Sequence, residues 1–237
     1  MTAIVWELEW RIAFARRRLF VLNIVVPLLL VLPVALGAAP AVHAAAVYVV
    51  LFAIFSPFGS AIPLVRDGES GLSGRVLRAG VEPASYFLQR TAAGAVLDLL
   101  QLGPALAVVA LGAGAGPRAF FVAVVALAAT VWVANLVGVL VAAATRSLAE
   151  AALFSAVSTL LLLHASGVFR TPLPGSFGAA FESVAPFRAL HEALLAMSMM
   201  TPVGGGTALG IWCFVMAVAT GILAGRLSGS LGGSGRA

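Results

Sequence analysis

Long runs of apolar residues with almost no charge dominate the hydropathy pattern of this chain. A helix that crosses a hydrocarbon core of roughly 30 Å needs about 20 predominantly apolar residues. By that criterion the sequence predicts six membrane-spanning helices. They lie at residues 19–38, 42–64, 85–112, 119–144, 149–168 and 207–227. Arg90, Asp98 and Gln101 interrupt the third span. We therefore expect an all-α membrane protein whose residues 1–237 form a single transmembrane domain.

The segment before the first span, residues 1–18, has the pattern of an amphipathic helix at the membrane interface. Glu7 and Arg11 are spaced to form an i,i+4 ion pair on a face of their own. Aromatic residues recur at helical spacing on another face: Trp6, Trp10 and Phe14. Such a helix either anchors the topology or also contacts a partner subunit, and the pattern leaves both open.

The connection between spans two and three, residues 65–83, is the most polar part of the chain. Within it the residues from Leu72 to Arg78 predict a short amphipathic helix that Gly80 and Pro83 end. A helix of that kind lies at the membrane surface, where it can dock on a soluble partner.

The connection between spans five and six, residues 169–206, contains two apolar segments separated by a proline. The segments, 177–184 and 187–200, are each too short to cross a bilayer, so we expect short re-entrant or surface-lying helices. In the second, Arg188 and Glu192 are spaced for an i,i+4 ion pair. One of its faces collects Phe187, Leu190, Leu194 and Met197. After the last span, the small residues of 228–237 predict a flexible tail.

Composition excludes a soluble protein, because 62% of the residues are hydrophobic and only 10% are charged, whereas soluble domains carry about a quarter charged residues. All basic residues are arginines, and eleven of the fourteen fall on one side of the six predicted spans. Positive charge marks the cytoplasmic side, so both termini are expected in the cytoplasm of a cell-membrane protein. The arginines flank the spans instead of forming a soluble basic face, which excludes nucleic acid as a partner. Only three face outward: Arg118, Arg170 and Arg188.

The absence of lysine excludes several kinds of chemistry. A phosphate-binding P-loop needs its lysine, and so does a retinal or pyridoxal Schiff base. The single Cys213 permits no disulfide within the chain, and the His, Asp and Glu residues show no metal-ligand spacing. We therefore expect no enzymatic activity, no cofactor and no metal.

Two patterns remain as candidate chemistry. Gly68-Glu69-Ser70-Gly71 matches the tetrapeptide of intramembrane serine proteases, but Ser70 lies on a charged loop and His164 is expected across the membrane from it. Polar residues inside spans are costly and therefore mark candidate functional positions. We expect Asp98, with Gln101 and Asn135, either to line a translocation path or to join neighbouring helices.

The arrangement resembles the membrane subunits of the ABC-2 type transporter family. The segment from Arg66 to Gly71, followed by residues 72–83, is similar to the acidic-glycine segment and coupling helix of that family. The outer connector, with Pro186-Phe187-Arg188 and Glu192, resembles its re-entrant outer helices.

The resemblance implies the membrane subunit of an exporter that moves a hydrophobic or amphipathic substrate. It implies a homodimer or heterodimer of such subunits, each with a separate ATPase subunit that provides the energy. It assigns coupling to that ATPase to Arg66, Asp67, Glu69, Gly71, Arg75 and Arg78. Three alternatives stay open: an ion-coupled transporter or channel that uses Asp98, a membrane subunit of the haem-exporter type, and a scaffold that transports nothing.

Overall fold

The structure is a computed structural model that describes residues 3–37, 39–55, 58–145, 147–170, 173, 175–199 and 206–232. Over these ranges every regular element is an α-helix, which confirms the all-α prediction. In chain order the helices are α1 (Ala3–Ala15), α2 (Arg17–Leu36), α3 (Ala41–Phe55), α4 (Phe58–Glu69), α5 (Leu72–Arg78), α6 (Pro83–Gly112), α7 (Pro117–Ala144), α8 (Leu148–Ala165), α9 (Phe177–Val184), α10 (Pro186–Met199) and α11 (Gly206–Gly232).

Within the described ranges five helices are long and apolar enough to cross a membrane: α2, α6, α7, α8 and α11. They correspond to five of the six predicted spans. The predicted span over residues 42–64 is not confirmed as one helix, because its described residues belong to α3 and α4 and residues 56 and 57 lie outside the described ranges. With 15 and 12 residues, the two helices are about 22 and 18 Å long, so neither crosses a 30 Å core by itself.

Helix α7 forms the centre of the bundle and packs against α4, α6, α10 and α11. In its most apolar stretch 61% of the residues are buried within the chain, against 11% for α2. Because α2 exposes large apolar side chains such as Leu29, we assign its outer surface to lipid or to another subunit. Small residues let the helices approach closely: a Cβ on Gly112 of α6 would lie 2.8 Å from the carbonyl oxygen of Ala35 in α2.

Helices α1 and α5 lie together at the end of the bundle where α6 begins, here called the α1/α5 end. Both helices are present as predicted. In α1, the Arg11 guanidinium donates to the Glu7 carboxylate at 2.5 Å. Helix α5 lies between Gly71 and Gly80, whose φ angles of +70° and +90° suit glycine because it has no Cβ.

The predicted polar loop over residues 65–83 is shorter in the structure. Helix α4 continues through Glu69, so Arg66 and Asp67 belong to its last turns and not to a loop. Similarly, α11 continues to Gly232, five residues into the segment predicted as a flexible tail, and residues 233–237 lie outside the described ranges. Arg146 and Arg236, which the sequence places on the cytoplasmic side, also lie outside them.

The opposite end of the bundle carries α9 and α10 and is here called the α9/α10 end. Both helices are present where the sequence predicts them. Helix α10 packs into the bundle, and its predicted apolar face is buried at Phe187, Leu190, Leu194 and Met197. The prolines and glycines that bound the predicted connector, at 172, 174, 202, 204 and 205, lie outside the described residues.

Candidate functional site

A buried arginine in α6 connects four helices at the α1/α5 end. Arg90 is 4% exposed, and its Nη2 donates to Asp67 Oδ2 in α4 at 2.5 Å. Its Nη1 donates to the Tyr86 hydroxyl oxygen at 2.5 Å, and its Nε lies 3.3 Å from Glu9 Oε1 in α1. The Tyr86 hydroxyl in turn lies 3.4 Å from the hydroxyl of Ser73 in α5. We call these five residues the Arg90 network.

The start of α6 positions two members of this network. Pro83 occupies the first turn, where a missing amide costs no helical hydrogen bond. The Glu82 carboxylate accepts hydrogen bonds from two backbone amides of that turn, at 3.2 and 2.8 Å. Since the helix begins here, Tyr86 and Arg90 lie one turn apart on the same face, and the ring of Tyr86 lies beside the guanidinium.

The charges of the Arg90 network balance at close range when Arg66 is included. Asp67 also lies 3.5 Å from the Nε of Arg66, so two carboxylates face two guanidiniums. Burial raises the pKa of the Glu9 carboxyl above its usual range, and the neighbouring Arg90 opposes that rise. A buried arginine without such partners would be strongly unfavourable, so the network fixes α1, α4 and α6 to one another.

The residues that the family resemblance assigns to ATPase coupling differ in their exposure. Glu69, Arg75 and Arg78 are exposed at the α1/α5 end, and Arg66 is partly exposed. Asp67 is 5% exposed and accepts a hydrogen bond from Arg90 inside the chain, so it differs in burial from the other charged members of this set. Gly71 provides the left-handed turn from which α5 starts.

Ser70 does not gain a catalytic arrangement from its surroundings. Its hydroxyl donates to the backbone carbonyl of Asp67 at 3.2 Å, a bond typical of a helix end. His164 lies in the last turn of α8, towards the α9/α10 end. These positions separate the hydroxyl from the histidine that the serine protease hypothesis requires.

A second polar cluster lies inside the bundle. The Asn135 Nδ2 in α7 donates to Asp98 Oδ2 in α6 at 2.9 Å, and also to the carbonyl of Val131 at 3.0 Å. Its Oδ1 accepts a hydrogen bond from the hydroxyl of Ser60 in α4. Gly94 makes room for the amide, because a Cβ there would lie 3.3 Å from that same Oδ1. Of the three predicted residues, the structure therefore joins Asp98 and Asn135.

Replacing Asn135 with Ala is expected to lower the free energy of unfolding by about 1–3 kcal/mol, because Ser60 and Asp98 both lose a buried hydrogen-bond partner. The measurement is thermal unfolding of the purified protein in detergent. Asn23→Ala is the control, since Asn23 is exposed and its removal should change the free energy by less than about 0.5 kcal/mol. Equal losses in the two variants would contradict the prediction.

A cavity of about 620 Å³ lies between α1, α2, α4 and α6 and reaches both polar clusters. Glu9, Asp67 and Arg90 line it at the α1/α5 end, and Asp98 and Gln101 line it further along α6. Gln101, the third predicted residue, shares the cavity wall with Asp98.

The α9/α10 end has an ion cluster of its own around Arg188. The predicted i,i+4 pair is confirmed, with Arg188 Nε donating to Glu192 Oε1 at 2.6 Å. The same guanidinium donates to Glu182 of α9, a carboxylate that is 4% exposed. Glu182 in turn packs against Gly167. These contacts hold α9 and α10 to the end of α8.

A family model for the ABC-2 type transporter matches residues 2–199 of the chain. The chain belongs to the ABC-2 type transporter family. It is therefore a multi-pass membrane protein and an ABC permease, and members of this family are transport subunits that work with a separate ATP-binding subunit. The match includes α1, the α4–α5 segment and α10. No curated protein matches the chain.

Sequence reasoning missed four residues of this ABC-2 permease that the fold brings into its polar clusters: Glu9, Ser60, Ser73 and Tyr86. One local signal was available for Glu9, which follows the buried Val5 by four residues and therefore shares the inner face of α1. Tyr86 precedes Arg90 by the same interval. Ser60 carries no such signal, because its partner Asn135 is 75 residues away in the chain.

Proposed function

We propose that the protein is the permease subunit of an ABC exporter that moves a hydrophobic or amphipathic substrate out of the cell. A separate ATPase subunit docks at the α1/α5 end, and a second permease subunit, identical or related, completes the transporter. The observation that carries this proposal is the Arg90 network, because it links both helices at that end, α1 and α5, to the long spanning helix α6.

The exposed charges of the α1/α5 end support docking there. The outer face of α5 presents Arg75 and Arg78, and Glu69 precedes it at the end of α4. The inner face of α5 is held through Ser73 and the buried Gly74. A push on α5 is therefore transmitted to Tyr86 and Arg90 at the start of α6, since packed and hydrogen-bonded helices move as units.

The arginine distribution supports a cytoplasmic α1/α5 end. Arginines 16, 17, 18, 66, 75 and 78 belong to that end, and arginines 118, 170 and 188 belong to the other. The positive-inside rule then directs both termini to the cytoplasm of a cell-membrane protein. In this orientation α3 and α4 together cover the second crossing, and α9 with α10 enters the bundle from the outside.

Replacing Glu69 and Arg75 with Ala, singly, is expected to lower ATP-driven export by roughly threefold to tenfold, with smaller effects on ATP hydrolysis by the partner. Removing an exposed charge weakens the contact through which movement reaches α5. The measurement is substrate uptake into inverted vesicles alongside ATPase activity of the same complex.

Arg118→Ala is the matched control, because Arg118 is an exposed arginine at the opposite end. It should leave both rates within twofold of the parent protein. Export and complex assembly that stay unchanged in both the Glu69 and the Arg75 variants would refute the coupling role. Co-purification of an ATPase whose activity the permease stimulates separates the exporter from the scaffold alternative.

One observation favours a second candidate, an ion-coupled transporter or channel. Asp98 lies at membrane depth in α6, bonded to Asn135 and lining the cavity. Intramembrane carboxylates of this kind carry protons or cations in transporters. Transport that continues without nucleotide but stops when an ion gradient is removed would favour this candidate over the exporter.

A further inference from the structure

The cavity between α1, α2, α4 and α6 has unlike ends. Towards the α1/α5 end its charges include the balanced pairs of the Arg90 network, together with Arg16. Further inside, the walls are mostly apolar, and the polar groups are Asn23, Asp98 and Gln101. Asp98 follows Arg90 by eight residues of helix, which places it about 12 Å deeper along α6.

Asp98 has no positively charged partner among the described residues. Its Oδ2 accepts a hydrogen bond from the neutral amide of Asn135, which provides no compensating charge. The nearest arginine on α6, Arg90, is already bound by Asp67 and Glu9. An uncompensated carboxylate at membrane depth is costly, so a cation in the cavity would be favoured there.

The cavity is accessible from the apolar side of the bundle. Leu19 of α2 and Ile54 of α3 line it and are 54% and 44% exposed in the chain. Between them and Asp98 the wall is formed largely by apolar side chains, including Phe20, Ile62 and Leu97. A molecule that enters by this route must therefore be soluble in lipid. A small hydrated ion does not meet that requirement.

We propose that this cavity binds a lipophilic cation, with its positive charge beside Asp98 and its apolar body against the walls of α2, α4 and α6. The proposal deepens the exporter function, on which it rests for what happens to the ligand after binding, by naming the class of substrate. Charge complementarity selects this class, because Asp98 is the titratable group deep in the described part of the cavity wall, it has no counter-charge there, and a cation beside it stabilises its ionised form. An anionic amphipath would instead be held at the α1/α5 end by Arg16.

The test is equilibrium binding to the full chain in lipid nanodiscs, with empty nanodiscs measuring partition into lipid. The probes are tetraphenylphosphonium and tetraphenylborate, which share size and shape but carry opposite charges. We expect saturable binding of tetraphenylphosphonium that weakens more than tenfold in Asp98→Asn, since this variant keeps the shape and removes the charge. Glu7→Gln removes an exposed carboxylate outside the cavity and should leave binding unchanged.

A second variant keeps the proposal testable if Asp98→Asn fails to fold. Ile54→Trp enlarges an exposed side chain at the edge of the cavity and should weaken tetraphenylphosphonium binding, whereas Val47→Trp, also exposed on α3, should not. Tetraphenylborate binding as tight as that of the cation, or cation binding within twofold of the parent in both Asp98→Asn and Ile54→Trp, would overturn the proposal.

The binding assay needs no nucleotide and no partner, so it is independent of the exporter function. Binding that depends on Asp98, in vesicles where the complex with the ATPase moves neither this probe nor any other amphipathic compound, would leave the site standing and refute the exporter. Conversely, ATP-driven export of other substrates with no binding of the cation would refute the site alone.

Discussion

Arg90→Ala is expected to lower the free energy of unfolding by about 3–5 kcal/mol. The change leaves Asp67 buried with only Arg66 nearby, and it removes the charge beside Glu9. Removing one partner of a buried pair costs more than the pair contributes, because the remaining charge stays in a medium of low polarity. Thermal unfolding in detergent, together with the yield of folded protein, measures the effect.

Arg11→Ala is the control for Arg90→Ala. Arg11 also pairs with a glutamate, but its side chain is 78% exposed, so its loss should change the free energy by less than about 0.5 kcal/mol. A triple variant, Arg90→Met with Asp67→Asn and Glu9→Gln, tests the cause, because removing all three charges should restore part of the stability. An Arg90→Ala protein that unfolds at the parent temperature would contradict the proposed network.

Gly167→Ala is expected to cost about 2–4 kcal/mol at the opposite end of the bundle. Gly167 has a φ of +69°, which a residue with a Cβ adopts only with strain. The added Cβ would also overlap the carboxyl group of Glu182 and displace it from Arg188. We expect the thermal unfolding temperature to fall accordingly.

Gly114→Ala separates the two contributions. Gly114 has a similar φ of +63°, but no other atom lies within 4 Å of a Cβ built there, so this variant should lose only about 1 kcal/mol. If overlap with Glu182 causes the excess, Glu182→Ala and Gly167→Ala combined should cost less than the sum of the two single changes. Equal losses in the two glycine variants would show that the overlap has no energetic consequence.

At both ends of the protein one arginine binds two carboxylates and thereby joins neighbouring helices. At the α1/α5 end a buried guanidinium binds Asp67 and Glu9, and at the α9/α10 end Arg188 binds Glu182 and Glu192. At the first end the charged groups connect α1 to α4 and the long helix α6, and at the second they connect α9 to α10. Charge-assisted hydrogen bonds specify these placements more sharply than an apolar contact would. This arrangement suits a transporter in which short terminal helices must move with the spans.

Local pattern alone determined much of this fold. Apolar runs of about 20 residues identified the five long spanning helices, because each backbone group inside lipid must bond within its own helix. Spacing of three and four residues identified α1, α5 and α10, together with the pairs Glu7–Arg11 and Arg188–Glu192. These features depend on residues within one or two turns of each other.

Tertiary structure decided which polar residues meet. The sequence predicts Asp67 in an exposed loop. In the structure it is buried against Arg90, which follows it by 23 residues. Glu7 and Glu9 are two residues apart, and only the packing of α1 on α6 determines that Glu7 is exposed while Glu9 reaches Arg90. The physical reason is that a local pattern shows only which faces of a helix are apolar. The partner of a charged group is instead the opposite charge that the packing of distant helices brings within about 4 Å.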